Sequence, residues 1–135
     1  VYSILKSFHI KDRVLLIAAW LHDTIEDTSA TYNIIKKKFN KEVADLVKQV
    51  SSDKKEIEQV GKEVYLLKKM LQMDDNALTL KLADRLHNVT DIATMQSKKA
   101  NNISKQTKYI INGLKEKRNL NKKQKKIIKA IERYI

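Results

Sequence analysis

The 135 residues, 42% hydrophobic and 33% charged, suit one domain with a packed core. Cysteine is absent, which excludes disulfides, thiolate zinc sites and a cysteine nucleophile and fits a reducing, cytoplasmic setting. No apolar run nears the roughly 18 residues that span a membrane. The net charge of +12 fits an anionic partner (nucleic acid, a membrane surface or a phosphorylated small molecule), or simply a face of solvated lysines.

With two glycines and no proline, the chain is predicted to be helices joined by short turns. Val1, Ile4, Leu5 and Phe8 fall at helical spacing, so one helix face is buried from the first residue. There is no initiator methionine, and the chain is expected to begin inside an element. Residues 11–27 read as a second helix. Thr31 can cap a third through Lys38, and Asn40 can take the left-handed conformation that ends it. Residues 42–50 put Val43, Leu46, Val47 and Val50 on one face, and 51–55 form a polar break. Residues 56–73 are helical by pattern with Gly61 as a weak spot, 74–76 a turn, and 77–92 a strongly apolar helix. Residues 97–114 and 122–135 complete an all-α bundle of seven or eight helices.

One stretch, "LLIAAWLHDTIEDT" at 15–28, raises a question of charge. Residues 15–21 are apolar around the whole helix, the mark of an interior helix. His22, Asp23, Glu26 and Asp27 follow at its C-terminal end. Carboxylates there oppose the helix dipole, and an unpaired carboxylate in a dry site is costly. A bound cation would resolve the conflict, with His22 and Asp23 as nitrogen and oxygen ligands. Glu26 and Asp27 follow them by four residues and would face the metal's water or the substrate. A surface helix end with clustered acids is the plainer alternative.

A second stretch, "LTLKLADRLHNVTDI" at 78–92, carries Leu82, Leu86 and Val89 as an apolar stripe with Asp84, His87 and Asn88 on adjoining faces. Asp84 is a further candidate ligand, or else a salt-bridge partner of Arg85 or another base. His87 alone reads as a half-buried histidine.

Together, "HDTIEDT" and "KLADRLHN", with 61 residues between His22 and Asp84, resemble the HD-domain hydrolase of the Rel/Spo family, including its small single-domain members. The stretch "TYNIIKKKFNKEVADLV" looks like the family's segment between the motifs. The resemblance implies removal of the 3′-pyrophosphate from guanosine tetra- and pentaphosphate, and a single HD hydrolase domain over residues 1–135 in an N-terminally incomplete form. It implies that His22, Asp23 and Asp84 hold one divalent metal, usually manganese. Glu26 and Asp27 would position and activate the attacking water, and Arg85 and Asn88 would bind substrate. Such a metal acidifies its water and neutralises phosphoryl charge, and a nearby carboxylate accepts the proton.

Two departures from the family pattern stand out. The family's further histidine ligand precedes the point matching Val1, and His9 is the one histidine here before the motif. Thr90 stands where the family usually has an arginine, and Asp91 where a threonine can lie near substrate. Alternatives are therefore an HD phosphohydrolase for another nucleotide, or a regulatory or binding HD domain with an incomplete metal site. Nucleic-acid binding by the basic residues 115–135 is disfavoured, because Tyr134 is the one aromatic there. No membrane partner is expected, and the sequence gives no oligomeric state.

Overall fold

The computed structural model describes residues 1–25, 32–51 and 54–135, with 22–25 and 54 by backbone alone. Among the described residues there are nine α-helices and one 3-10 turn. They are α1 (Tyr2–Ser7), α2 (Arg13–Ile25), α3 (Tyr32–Lys38), α4 (Lys41–Val50), α5 (Lys54–Val60), α6 (Lys62–Gln72), α7 (Asp75–Thr90), α8 (Ser97–Lys117) and α9 (Lys122–Glu132), with the 3-10 turn at Ile92–Thr94. The all-α architecture expected from the sequence is the one observed.

The helix count exceeds seven or eight because one predicted helix is two. Gly61 takes φ 89° and ψ 147° as the N-cap of α6, a conformation open to glycine and strained for other residues. The weak spot is thus a break. Asn40 does not end α3 in a left-handed conformation. Its backbone is extended, and its side chain accepts the Val43 N–H at 2.8 Å as the N-cap of α4. The predicted turn at 74–76 is a helix start: Asp74 caps α7 by accepting the Ala77 N–H at 2.8 Å. Gln49 holds that cap from α4, donating to Asp74 Oδ2 at 2.8 Å and accepting the Asp74 N–H at 3.1 Å. Thr31, the predicted cap of α3, lies outside the described residues.

The left-handed residue is His9, at φ 61°. It follows α1 in a Schellman arrangement: the His9 N–H bonds to Lys6 O at 3.0 Å and the Ile10 N–H to Leu5 O at 3.2 Å. Leu5 and Ile10 are both buried, supplying the apolar contact that accompanies this cap. Asp12 then opens α2 by accepting the Leu15 N–H at 3.0 Å.

At the centre lies α7, which packs against α1, α2, α4, α8 and α9. Leu78, Leu80, Leu82, Ala83 and Val89 are all but inaccessible, burial worth roughly 1.5–3 kcal/mol for each large side chain. Buried Gln124 ties α9 to α7, donating to Asp75 O at 3.1 Å and Thr79 Oγ1 at 3.3 Å. Its Oε1 accepts the Asn121 N–H at 3.0 Å, completing a capping box. Arg118 donates to Met70 O at 2.8 Å, satisfying an orphan carbonyl at the end of α6.

The interior character predicted for α2 holds on one side only. Leu15, Ala18, Ala19 and Leu21 are buried, while Leu16 and Ile17 are half-buried and Trp20 is exposed. No described helix is long and apolar enough to cross a membrane.

Candidate functional site

The two motif segments sit on helices that pack against each other, α2 and α7. The backbone of His22 and Asp23 lies in the last turn of α2, one turn beyond buried Ala18 and Ala19. Glu26 and Asp27 lie outside the described residues, and so do the side chains of His22 and Asp23.

On α7 the picture is complete. Asp84 is partly buried, its side chain 18% exposed, and Lys81 Nζ stands 3.5 Å from Asp84 Oδ2 one turn earlier. No described residue donates a hydrogen bond to Oδ1, so this carboxylate keeps free acceptor capacity. Arg85 is buried, yet its guanidinium makes no hydrogen bond or ion pair among the described residues. Burial pushes the Arg85 pKa down, and the Asp84 charge opposes that shift. Lys62, at the start of α6, is pushed down as well, first by burial and then by the charges of Arg85 and Lys81, with Asp84 acting against them. One carboxylate and three cations therefore share this end of α7.

Asn88 lies one turn after Asp84 and is exposed. His87 is exposed rather than half-buried. His9 is the left-handed cap of α1, a place where glycine is the usual residue. Sequence reading missed Lys81 and Lys62. Lys81 was findable, since residues three apart on a helix are neighbours. Lys62 reaches the cluster only through tertiary packing.

Among the described residues no three His, Asp or Glu side chains gather closely enough to hold a metal. The described donor fits a hard divalent cation: an anionic oxygen that keeps acceptor capacity among the described residues, on the central helix of the bundle. The cations around it suit an anionic ligand.

A family model described as HD domain matches residues 1–119. This chain belongs to the HD-domain family. The HD domain is 38% identical over 110 residues to the bifunctional (p)ppGpp synthase/hydrolase SpoT of Escherichia coli, covering 76% of this chain and 15% of that protein. It is 37% identical over 102 residues to the guanosine-3′,5′-bis(diphosphate) 3′-pyrophosphohydrolase of Aquifex aeolicus, covering 73% of this chain and 14% of that one. These matches bear out the Rel/Spo resemblance drawn from the motifs. The HD domain spans only about a seventh of the length of these relatives. Its fold is similar to the crystal structure of lmo0812 from Listeria monocytogenes EGD-e, with a TM-score of 0.74 and 20% identity over 98% of this chain and 91% of that one.

Proposed function

We propose that residues 1–135 act as a metal-dependent HD phosphohydrolase domain that removes the 3′-pyrophosphate from guanosine tetra- or pentaphosphate. In this reading His22, Asp23 and Asp84 hold one divalent ion, manganese by family resemblance. When bound, the ion supplies an acidified water and charge neutralisation at the phosphoryl oxygens. Glu26 and Asp27 orient that water and take its proton. Asn88 meets the nucleotide from the exposed side of α7.

The observation that carries the reading is the pair Asp84 and Arg85. Among the described residues Asp84 Oδ1 accepts no hydrogen bond and the guanidinium of buried Arg85 donates none, while the Asp84 charge acts on Arg85. Charges held mostly out of water favour ligands of opposite charge. A cation at Asp84 and a phosphate at Arg85, helped by Lys62 and Lys81, would satisfy both.

The test is manganese-dependent release of pyrophosphate from guanosine tetraphosphate by this chain, with Asp84→Ala and Arg85→Met beside it. Release that needs manganese and is lost in Asp84→Ala is the expected result. Arg85→Met is expected to raise KM, since it removes a phosphate contact and leaves the metal ligands in place. No release and no bound manganese would favour a regulatory HD domain with an incomplete metal site.

A further inference from the structure

The chain has one tryptophan and two phenylalanines, and Trp20 and Phe39 stand exposed, at 51% and 44%, in one groove. The groove has a volume of about 540 Å³ and lies on the outward side of α2, with Leu16 and Ile17 also lining it. Lys11 and Arg13 line it as well, and no carboxylate does among the described residues. Tyr2 adds a third ring, with Lys6 Nζ 5.7 Å from its centroid. Phe39 is flanked in sequence by Lys36, Lys37, Lys38 and Lys41, all exposed.

Large aromatic rings partly exposed together mark a contact surface. The chemistry around these rings narrows the partner. An uncharged apolar segment would cover the rings but would strip water from Lys11 and Arg13 without pairing them. A purely anionic ligand would answer the cations and leave the rings wet. The basic cleft between α8 and α9 is that second kind of surface: Lys115, Arg118, Lys125 and Lys129 line it with no aromatic among the described residues, and Lys115 is already paired with Glu132 at 2.9 Å. The α2 groove offers rings and cations together. Single-stranded nucleic acid presents flat aromatic faces joined by regularly spaced negative charge, and matches both.

We propose that the groove between Trp20 and Phe39 binds single-stranded nucleic acid, bases stacking on the two rings and phosphates held by Lys11, Arg13 and the lysines beside Phe39. The C-terminal lysines of residues 115–135 have Tyr134 as their one aromatic; here the aromatics accompany a different set of cations. Among the described residues the groove shares no lining residue with the cluster around Asp84, so this proposal does not rest on the hydrolase reading.

Because Trp20 is the one tryptophan, its emission reports on the groove alone. The experiment titrates the whole chain with oligouridylate and oligodeoxythymidylate of about fifteen nucleotides, near the upper site size of such surfaces. Saturable quenching that weakens steeply between about 50 and 200 mM salt is expected. Read by anisotropy of a labelled oligonucleotide, Trp20→Ala is expected to weaken binding about tenfold, the order of one lost stacking contact. Trp20→Phe, which keeps a ring, should restore most of it. Lys11→Glu with Arg13→Glu should weaken binding far more than the same charge change at Lys98 and Lys105 on α8. Absence of quenching, indifference to Trp20→Ala, or equal loss from both charge pairs would overturn the proposal. Quenching by an acidic aromatic peptide but by neither oligonucleotide would also overturn it and assign the groove to a protein partner.

Discussion

Lys81 Nζ and Asp84 Oδ2 lie 3.5 Å apart on one face of α7, with both side chains mostly buried. The pair is long for a charge-assisted hydrogen bond. It therefore holds Asp84 weakly and competes with any cation that would use the same oxygen. Lys81→Met is expected to lower the stability of the metal-free chain, because it leaves the mostly buried Asp84 carboxylate without its neighbour, and to tighten manganese binding. Asp84→Ala should abolish that binding. Manganese titration followed by electron paramagnetic resonance, with a thermal melt of each variant, checks both. Manganese affinity that ignores both substitutions would remove Asp84 from the ligand set.

The approach of α6 to α8 is set by Gly113. A Cβ added there would sit 2.4 Å from Leu67 Cδ2 and 2.7 Å from Cδ1, closer than packed carbons come. Gly113→Ala should cost about 1–3 kcal/mol from overpacking, offset by about 1 kcal/mol of helix propensity. The expected net effect is destabilisation, seen as a lower denaturant midpoint at unchanged slope. With Leu67→Ala already present the same substitution should cost less, because the clashing carbons are gone. Equal cost on both backgrounds would place the strain elsewhere.

How far the sequence could be read depends on where each signal lives. The apolar spacing of Val43, Leu46 and Val50, or of Leu82, Leu86 and Val89, is local and repeats at helical period, so α4 and α7 were legible. Cap chemistry is local too, but Asn40 suits either end of a helix, and only the chain path decides between them. His9 in a left-handed cap carries no local signal, because the usual residue there is glycine. Residues 15–21 are apolar on every side, so periodicity could not say that Trp20 faces outward. For the site, Asp84, Arg85 and Asn88 were legible as a motif. The setting of Asp84 among Lys62, Lys81 and Arg85 was not, since Lys62 arrives from another helix.

His9 carries a cost that glycine would not. An L-residue in the left-handed region is disfavoured by roughly 1–2 kcal/mol, and His9 sits there at φ 61°. The Schellman hydrogen bonds use only its backbone and survive substitution. His9→Gly is expected to raise stability by about 0.5–1 kcal/mol, the backbone relief being reduced by the greater freedom of glycine in the unfolded chain. His9→Val, β-branched at the same position, should lower it. Equilibrium unfolding in urea distinguishes the two, and the same samples test His9 as a metal ligand: manganese affinity should be unchanged in His9→Gly.

Tyr32 and Asp45 join α3 to α4 through a hydrogen bond from the Tyr32 hydroxyl to Asp45 Oδ1 at 2.6 Å. That bond, then burial, then the Asp45 charge, raise the Tyr32 pKa above its ordinary 10.0. The phenolate can no longer donate and is repelled by the carboxylate. The folded state thus keeps its proton to a higher pH than the unfolded chain does. By linkage the stabilisation is fully present below pH 10.0, the unfolded value, and is lost as pH rises through the folded one. Tyr32→Phe should therefore be less stable than the parent chain at neutral pH by a constant margin, and that margin should shrink as the solution becomes alkaline. Denaturant unfolding at stepped pH, with phenolate absorbance followed alongside, measures both halves of the argument. Margins that stay parallel through the alkaline range would show that the α3–α4 contact does not depend on this proton.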